Sequence, residues 1–304
     1  MQDSFMDDEW KFKLIDALIG GINGNKYNLI DVGYYYQCCA PASIYKYYPN
    51  TERKLSEVKE NKMWYSAPSK FNDPFDCEFM MSEEKIFQYM LQNVPGKRSI
   101  RAGSPVWKAF KGELHRQIPK LQMTFQHARH TTGVSCFSEK DDSLLMWAHY
   151  ANNHKGMCVE YELMGFNTQL QYSPVPIIYC EDRVHLDSID IDSVETAIME
   201  YFIKCLVQKS TVWGYESEWR IIRDDAACGH LWDSKNHGAL LNSIRPSSIT
   251  LGCEAEDSFI KGVTEYCQEN KINLFRMYKD RLEYRLNKAS VLQFDTEETF
   301  DANK

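Results

Sequence analysis

The hydrophobic positions of the chain follow two periods, one typical of helices and one typical of strands. Apolar residues that recur every three or four positions predict amphipathic helices, whereas strict alternation predicts half-buried strands. The helical period covers residues 8–20, 51–60, 82–94, 105–128, 144–151, 193–209 and 256–268. The strand period covers residues 44–48, 62–66, 133–138, 157–162, 175–179, 213–220, 248–252, 273–278 and 284–294.

Turn-forming residues divide this pattern into one large domain with short additions at its ends. We predict an N-terminal helical segment at 1–43, a single mixed α+β domain at 44–295 and a C-terminal tail at 296–304. A helical insert at about 82–128 interrupts the domain. One side of this insert is polar, which suits either a lid or a surface for a protein partner.

The composition is that of a globular chain and excludes some classes of function. The net charge is -8 over 304 residues, which argues against a general nucleic-acid clamp, because such a protein needs a basic face. No stretch approaches the roughly 18 to 20 apolar residues that span a bilayer. The N-terminus, M-Q-D-S-F-M-D-D-E-W, is acidic and lacks the apolar stretch of a signal peptide. We therefore expect a cytoplasmic protein.

The ten cysteines are scattered and form no C-x-x-C motif. Cys136, Cys158 and Cys205 lie in apolar runs, where a free thiol behaves as a small hydrophobic side chain. His149 and His154 could complete a zinc set with the first two, but their spacing is unlike that of known zinc sites. We expect reduced cysteines and no bound metal.

Residues 213–220, W-G-Y-E-S-E-W-R, place two carboxylates among aromatic residues and an arginine. If the segment is one strand, alternate side chains point to opposite faces. One face then carries Trp213, Tyr215, Ser217 and Trp219, and the other carries Glu216, Glu218 and Arg220. The aromatic face is the expected core face.

Two interpretations fit the acidic face. In the first it is solvated and its ion pair contributes only about 0.5 kcal/mol. In the second it lies in a cleft, with the two carboxylates roughly 7 Å apart. Their repulsion then raises the pKa of one carboxyl group, and the arginine lowers the pKa of the other. Such a pair supplies one hydrogen-bonding and one ionised group for catalysis.

The segment S-C-F-S at 135–138 precedes a helix that bears His149. Ser138 and His149 could act as nucleophile and base, but the sequence has no nucleophile elbow or oxyanion loop. A histidine that makes a structural bond or lines a cleft is the favoured interpretation.

The segments F-N-D-P-F-D and Y-K-Y-Y carry further side chains suited to ligands. Asn72 can close an Asx turn, which favours a rigid loop pinned by two phenylalanines. In the same loop Asp73 and Asp76 could orient a ribose, a metal or a cationic partner. Lys46 could meet a phosphate, and Tyr47 could stack on a ring.

These segments occur in one order in a known family. The relevant motifs are I-Y-K-Y-Y-P, K-M-W-Y-S-A-P-S-K-F-N-D-P-F-D, S-C-F-S-E, M-W-A-H-Y-A-N-N-H-K-G and K-S-T-V-W-G-Y-E-S-E-W-R. Over residues 44–253 they resemble the bacterial family named domain of unknown function 2971. The F-N-D-P-F-D and M-W-x-H-Y-A elements are the most specific. The family name implies no activity.

The order of an early strand, a serine-bearing strand and a late E-x-E strand is also similar to the mono-ADP-ribosyltransferase superfamily. That resemblance implies mostly antiparallel small sheets around a central cleft, with NAD as co-substrate. Glu218 would hydrogen-bond the 2′-hydroxyl of the nicotinamide ribose and stabilise an oxocarbenium-like transition state, and Glu216 would orient the acceptor. The implied cofactor-binding residues are Lys46, Tyr47, Asn72, Asp73, Ser135, Ser138, His149 and Arg220.

The resemblance implies a toxin-like or anti-phage defence effector that modifies a protein or a nucleic acid. A metal-dependent nuclease or phosphoesterase that uses Asp73, Asp76, Glu216 and Glu218 is an alternative. A non-enzymatic ligand-binding module is another.

Overall fold

Helices and strands alternate irregularly in a computed structural model that describes residues 9–22, 26–80, 82–84, 86–87, 101–184, 194–224 and 228–294. The α-helices are α1 (Glu9–Ile22), α2 (Lys26–Cys38), α3 (Glu52–Lys59), α4 (Pro105–Thr131), α5 (Leu144–Tyr150), α6 (Leu163–Leu170), α7 (Val194–Val207) and α8 (Asp257–Asn270). Short 3-10 helices cover Pro68–Lys70, Thr211–Glu216 and Gly229–Leu231. None of the described helices is long and apolar enough to cross a membrane.

The strands follow the same order along the chain and are mostly short. They are β1 (Ser43–Tyr48), β2 (Lys62–Ser66), β3 (Gly133–Ser138), β4 (Met157–Glu162), β5 (Val175–Pro176), β6 (Ile178–Cys180), β7 (Gln208–Ser210), β8 (Glu218–Arg223), β9 (Trp232–Asp233), β10 (Gly238–Asn242), β11 (Ser248–Leu251), β12 (Asn273–Lys279) and β13 (Leu286–Leu292).

Eleven of the described strands form one sheet. Nine of them follow the order β13-β12-β11-β4-β1-β3-β2-β10-β9, and β8 and β5 branch off from β3, with β8 next to β3 and β5 next to β8. Strand β8 pairs with β3 over six residues, and β5 pairs with β8. Apart from the parallel pair β11 and β12, the sheet is antiparallel. Strands β6 and β7 form a separate parallel pair. The mixed α+β class and the mostly antiparallel pairing are confirmed, but one large sheet replaces the expected small ones.

Strand β3 is the branch point of this sheet, because β1 and β2 share one of its edges. β1 meets β3 only at Tyr45 and Ser138, and β2 meets it only at Ser66 and Val134. Between these pairs the carbonyl oxygen of Cys136 accepts a hydrogen bond from a lysine side chain at 2.8 Å instead of from a strand. The interruption leaves room for side chains at the middle of the sheet.

Side-chain caps fix the starts of three helices around this sheet. At the start of α3, the side chain of Thr51 accepts a hydrogen bond from the backbone N–H three residues later. The side chains of Ser104 and Ser143 accept equivalent bonds at the starts of α4 and α5. Such caps satisfy amide groups that a helix leaves without a partner.

The N-terminal segment and the helical insert both pack into the body of the protein. Leu14 of α1 joins the main core, which contains Trp219, while its neighbour Ile15 joins a second core. That second core includes Phe125 of α4 and Tyr201 of α7. Helix α1 therefore connects the two cores, and α4 is anchored by the aromatic side chain of Phe125.

The predicted strand at 213–220 is wrong. Its first half belongs to the 3-10 helix Thr211–Glu216, and Ser217 adopts a left-handed conformation with a φ of 43°. The strand begins only at Glu218. The side chain of Ser210 accepts a hydrogen bond from Val212 N, and such local bonds compete with strand pairing.

Other predicted elements differ less, and some were missed. The strand predicted at 175–179 is divided between β5 and β6, while α6, β7, β9 and β10 were not predicted. Helix α2 lies within the predicted N-terminal helical segment, but its bounds were not predicted. Most of the helix predicted at 82–94 and the whole tail at 296–304 lie outside the described residues.

Substitution of Gly156 tests how closely the end of β1 approaches the turn before β4. A Cβ at this position would lie 2.0 Å from the backbone oxygen of Tyr48. We expect Gly156→Ala to lower the free energy of unfolding by about 2 to 3 kcal/mol, measured by urea denaturation. Gly112→Ala in α4, where nothing lies within 4 Å, is the control and should be neutral or slightly stabilising. Equal stability of the two variants would contradict the close approach.

Candidate functional site

A cavity of about 460 Å³ opens where β1 and β2 diverge on the edge of β3. Its walls come from β1, the loop after β2, β3, α5 and the segment that leads into β8. The volume falls within the range of sites for small molecules and cofactors. Aromatic side chains of Tyr47, Phe71 and Tyr150 share the lining with charged ones.

Two charged residues at or directly behind the cavity lining, Glu218 and Arg220, lie on β8, which is paired along its length with β3. Glu218 and Arg220 are two residues apart, so their side chains share one face of the strand. They are 3% and 0% exposed. The interpretation of a solvated acidic face is therefore wrong.

Arg220 forms paired hydrogen bonds with two carboxylates. Its Nη2 and Nη1 donate to Asp76 Oδ2 and Oδ1 at 2.6 and 3.0 Å, and its Nε and Nη2 donate to Glu218 Oε1 and Oε2 at 2.6 and 3.1 Å. Nη1 also donates to the backbone oxygen of Leu206 at 2.8 Å. The guanidinium lies over the ring of Phe71, 5.4 Å from its centroid. These bonds fix the orientation of Glu218.

Lys209 of β7 supplies a second buried cation. Its Nζ lies 2.5 Å from Glu216 Oε2, 3.0 Å from Glu218 Oε2 and 3.6 Å from Asp76 Oδ2. It therefore connects the two glutamates, although the chain turns between them at Ser217. We call the five residues Asp76, Lys209, Glu216, Glu218 and Arg220 the ion network.

The ion network separates the pKa values of the two glutamates. Burial by itself raises the pKa of Glu218, but Arg220 and Lys209 outweigh it and lower the pKa to about 2. Burial raises the pKa of Glu216, and Lys209 only partly offsets the effect. The hydroxyl of Tyr150 donates to Glu216 Oε1 at 2.6 Å. Glu218 is thus ionised at neutral pH, and Glu216 is the more basic carboxylate.

Lys46 of β1 lies on another wall of the cavity. Its Nζ donates to Ser135 Oγ and to the backbone oxygen of Cys136, both at 2.8 Å. The ammonium also lies 5.0 Å from the ring centroid of Phe137. Burial lowers the pKa of Lys46 to about 8, so its charge is present at neutral pH but is lost in mild alkali.

Most of the residues selected from the sequence lie around this cavity, although some lie behind it. Those that line it are Lys46, Tyr47, Asn72, His149, Glu216 and Glu218. Ser135 lies behind Lys46, and Arg220 is fully buried behind Glu218. Ser138 is also fully buried, and its hydroxyl donates to the backbone oxygen of Glu216 at 2.6 Å.

Asp73 is directed away from the cavity. Its carboxylate accepts a hydrogen bond from Phe75 N at 2.9 Å, which stabilises the turn, and it lines a separate cavity of about 250 Å³. The Asx turn predicted for this loop is therefore made by Asp73 instead of Asn72.

Lys209 and Tyr150 were not selected from the sequence. Tyr150 is part of the M-W-A-H-Y-A motif, and Lys209 opens the K-S-T-V-W-G-Y-E-S-E-W-R motif. Lys209 is seven residues before Glu216, but the two lie in different elements, β7 and the 3-10 helix Thr211–Glu216. Only the 3-10 turn between them brings their side chains together.

The donor arrangement does not fit a metal site. Within the described part of the chain, no group of three or more histidine, cysteine, aspartate or glutamate side chains is placed to hold a metal ion. The carboxylate oxygens of Asp76 and Glu218 accept hydrogen bonds from Arg220, and those of Glu216 accept them from Lys209 and Tyr150. Three of the four carboxylates in the nuclease interpretation, those of Asp76, Glu216 and Glu218, therefore already accept hydrogen bonds from side chains of the protein.

Comparison with known proteins adds one observation. The sequence profile of the family described as protein of unknown function (DUF2971) matches residues 146–221. This stretch is similar to that family and is shorter than the resemblance over 44–253 noted above. It contains most of α5, together with Lys209 and both glutamates. No curated protein and no solved structure matched the chain.

Arg220→Met tests the energetic role of the ion network. The change leaves Asp76 and Glu218 buried without their main cation, so we expect the free energy of unfolding to fall by about 3 to 5 kcal/mol. The control is Arg285→Met, which removes a pair with Asp280 whose arginine side chain is 59% exposed. Its effect should stay below about 1 kcal/mol. Urea denaturation of both variants measures these changes. Similar losses of unfolding free energy in the two variants would contradict the stabilising role assigned to the ion network.

Proposed function

We propose that the protein is an NAD-dependent mono-ADP-ribosyltransferase, with Glu218 as the catalytic carboxylate. The observation that carries the proposal is the state of Glu218, which is ionised, buried on a strand and directed at a cavity of about 460 Å³. Departure of nicotinamide from NAD leaves positive charge on the ribose. A fixed negative charge beside that ribose stabilises the transition state.

The arrangement of the strands supports the proposal. The resemblance implied an early strand, a serine-bearing strand and a late glutamate strand around one cleft. In the structure β8 pairs with β3, and β3 meets β1 at Tyr45 and Ser138. These three strands supply Glu218, Cys136 and Lys46 to the same cavity.

Preorganisation of Glu218 further supports a catalytic role. Both of its oxygens accept hydrogen bonds from Arg220, and Lys209 adds a third donor. The carboxylate cannot rotate freely, and little solvent reaches it. A charge held this way does not need to reorient during the reaction, which is the main condition for electrostatic catalysis.

Two lysines in the cavity lining fit the charge of the cofactor. Lys46 and Lys70 both line it, and ammonium groups are suitable partners for the diphosphate of NAD. The rings of Tyr47 and Tyr150 provide apolar surface for a nucleobase or a nicotinamide ring. An NAD molecule would thus find positive charge for its phosphates and negative charge for its reacting ribose.

The first test replaces Glu218 with glutamine. Wild-type protein with NAD should release nicotinamide, and Glu218→Gln should reduce the rate by about 100-fold or more, measured by chromatography. Glu57→Gln is the matched control, since Glu57 is also buried and paired with Arg53 and Lys54 but does not line the cavity. It should retain the wild-type rate within about twofold.

The state of the Glu218→Gln variant must be checked separately, because the change also weakens the ion network. Circular dichroism and NAD binding by calorimetry establish whether it is folded. Nicotinamide release at the wild-type rate by the folded variant would exclude the proposed role of Glu218. NAD binding without release by the wild type would favour a ligand-binding module instead.

The second test uses the titration of Lys46. Its ammonium is protonated below its pKa of about 8 and loses its charge as the pH rises through that value. If it pairs with a phosphate, the affinity for NAD should weaken about tenfold between pH 7 and pH 9. Lys46→Arg keeps its charge over this range, so its affinity should not change with pH. A wild-type affinity that is constant from pH 7 to pH 9 would contradict the pairing.

A further inference from the structure

Lys209 occupies the space between the two glutamates that the proposed reaction would use. Burial opposes its charge, but Glu218 and Glu216 outweigh that effect and raise the pKa of Lys209 above its usual value. The ammonium is therefore charged at neutral pH. It lines the cavity together with both glutamates.

Lys209 occupies one oxygen of each glutamate. Glu216 accepts from Tyr150 through Oε1 and from Lys209 through Oε2. Glu218 accepts from Arg220 through both oxygens and from Lys209 through Oε2. A substrate guanidinium or ammonium group that paired with Glu216 through Oε2 would have to displace Lys209.

The charges around the cavity do not favour such a displacement. Lys46, Lys70 and Lys209 face three carboxylates, those of Asp76, Glu216 and Glu218. Acidic and basic groups are therefore equal in number among the described residues that line the cavity. Arg220 adds a further positive charge directly behind Glu218. At Glu216 a cationic acceptor would meet the ammonium of Lys209 and be repelled, whereas an uncharged nucleophile would not.

We propose that Lys209 determines the acceptor class, by excluding guanidinium and ammonium groups from Glu216 and restricting transfer to an uncharged nucleophile such as a hydroxyl group. This inference rests on the proposed transferase function. In the reaction, the bond between ribose C1′ and nicotinamide breaks, and nicotinamide leaves with the electron pair. The acceptor hydroxyl oxygen forms the new bond to C1′, and its proton passes to the carboxylate of Glu216.

Direct binding of agmatine, a small guanidinium compound, tests the exclusion without any turnover. Lys209→Met removes the charge and keeps an apolar side chain of similar length. We expect this variant to bind agmatine at least tenfold more tightly than the wild type, measured by calorimetry. Lys209→Arg should bind as weakly as the wild type, since it restores the cation. Equal affinity of wild type and Lys209→Met would overturn the proposal.

Acceptor use provides the second measurement. With labelled NAD and agmatine, Lys209→Met should form at least tenfold more ADP-ribosyl-agmatine than the wild type, detected by mass spectrometry. Efficient formation of this adduct by the wild type would overturn the proposal. Failure of every protein to release nicotinamide would instead reject the transferase function, and agmatine binding would still decide whether Lys209 excludes cations.

Two further variants control for loss of the folded structure. Lys11→Met is the matched control, because Lys11 is a buried lysine paired with Glu139 at 3.1 Å and does not line the cavity. It should leave agmatine binding at the wild-type level. If Lys209→Met does not fold, Lys209→Gln keeps a hydrogen-bond donor for Glu216 and removes the charge. The same tenfold gain is expected of it, and no gain would count against the proposal.

Discussion

The buried ion pairs of Arg220 with Asp76 and Glu218 join parts of the chain that lie far apart in the sequence. Arg220 and Asp76 are 144 positions apart, and the same guanidinium also holds the end of α7 through Leu206. Transfer of these charges from water is costly, so the arrangement persists only because each charge has well-placed partners. The position of β8 against the loop at 71–76, and with it one wall of the cavity, depends on this interaction.

In the proposed reaction, the same interaction would also prepare the two glutamates for different roles. Arg220 and Lys209 hold Glu218 ionised, whereas burial makes Glu216 the more basic group. Two carboxylates of the same type thereby acquire different properties from their surroundings, which is how a pair is adapted to two roles. The strong pairing has a second consequence, because it leaves the glutamates little capacity for a further cation. The stability of the fold, and the catalysis and acceptor selectivity of the proposed reaction, thus depend on the same contacts of the ion network.

The sheet contributes the space for this chemistry. Because β1 and β2 each meet only one end of β3, the middle of that edge has no strand opposite it. Lys46 reaches across this interruption to the Cys136 carbonyl, and α5 closes the cavity from another side. The cavity therefore exists because β1 and β2 share one edge of β3 and diverge there. A continuous ladder between β1 and β3 would have filled it with backbone hydrogen bonds.

The sequence by itself determined the local elements and much of the candidate site. Strands at 62–66, 133–138 and 157–162 have the predicted bounds. In the first of them buried and partly exposed side chains alternate, as expected of a half-buried strand, whereas the other two are buried at most positions. The cavity brings together several of the selected residues, including Lys46, His149 and Glu218. Only the tertiary structure decided that the acidic face is buried, that the chain turns at Ser217 and that Lys209 joins the two glutamates. Periodicity reports the neighbours of a residue within one element, whereas these features arise from contacts between elements, which leave no period in the sequence.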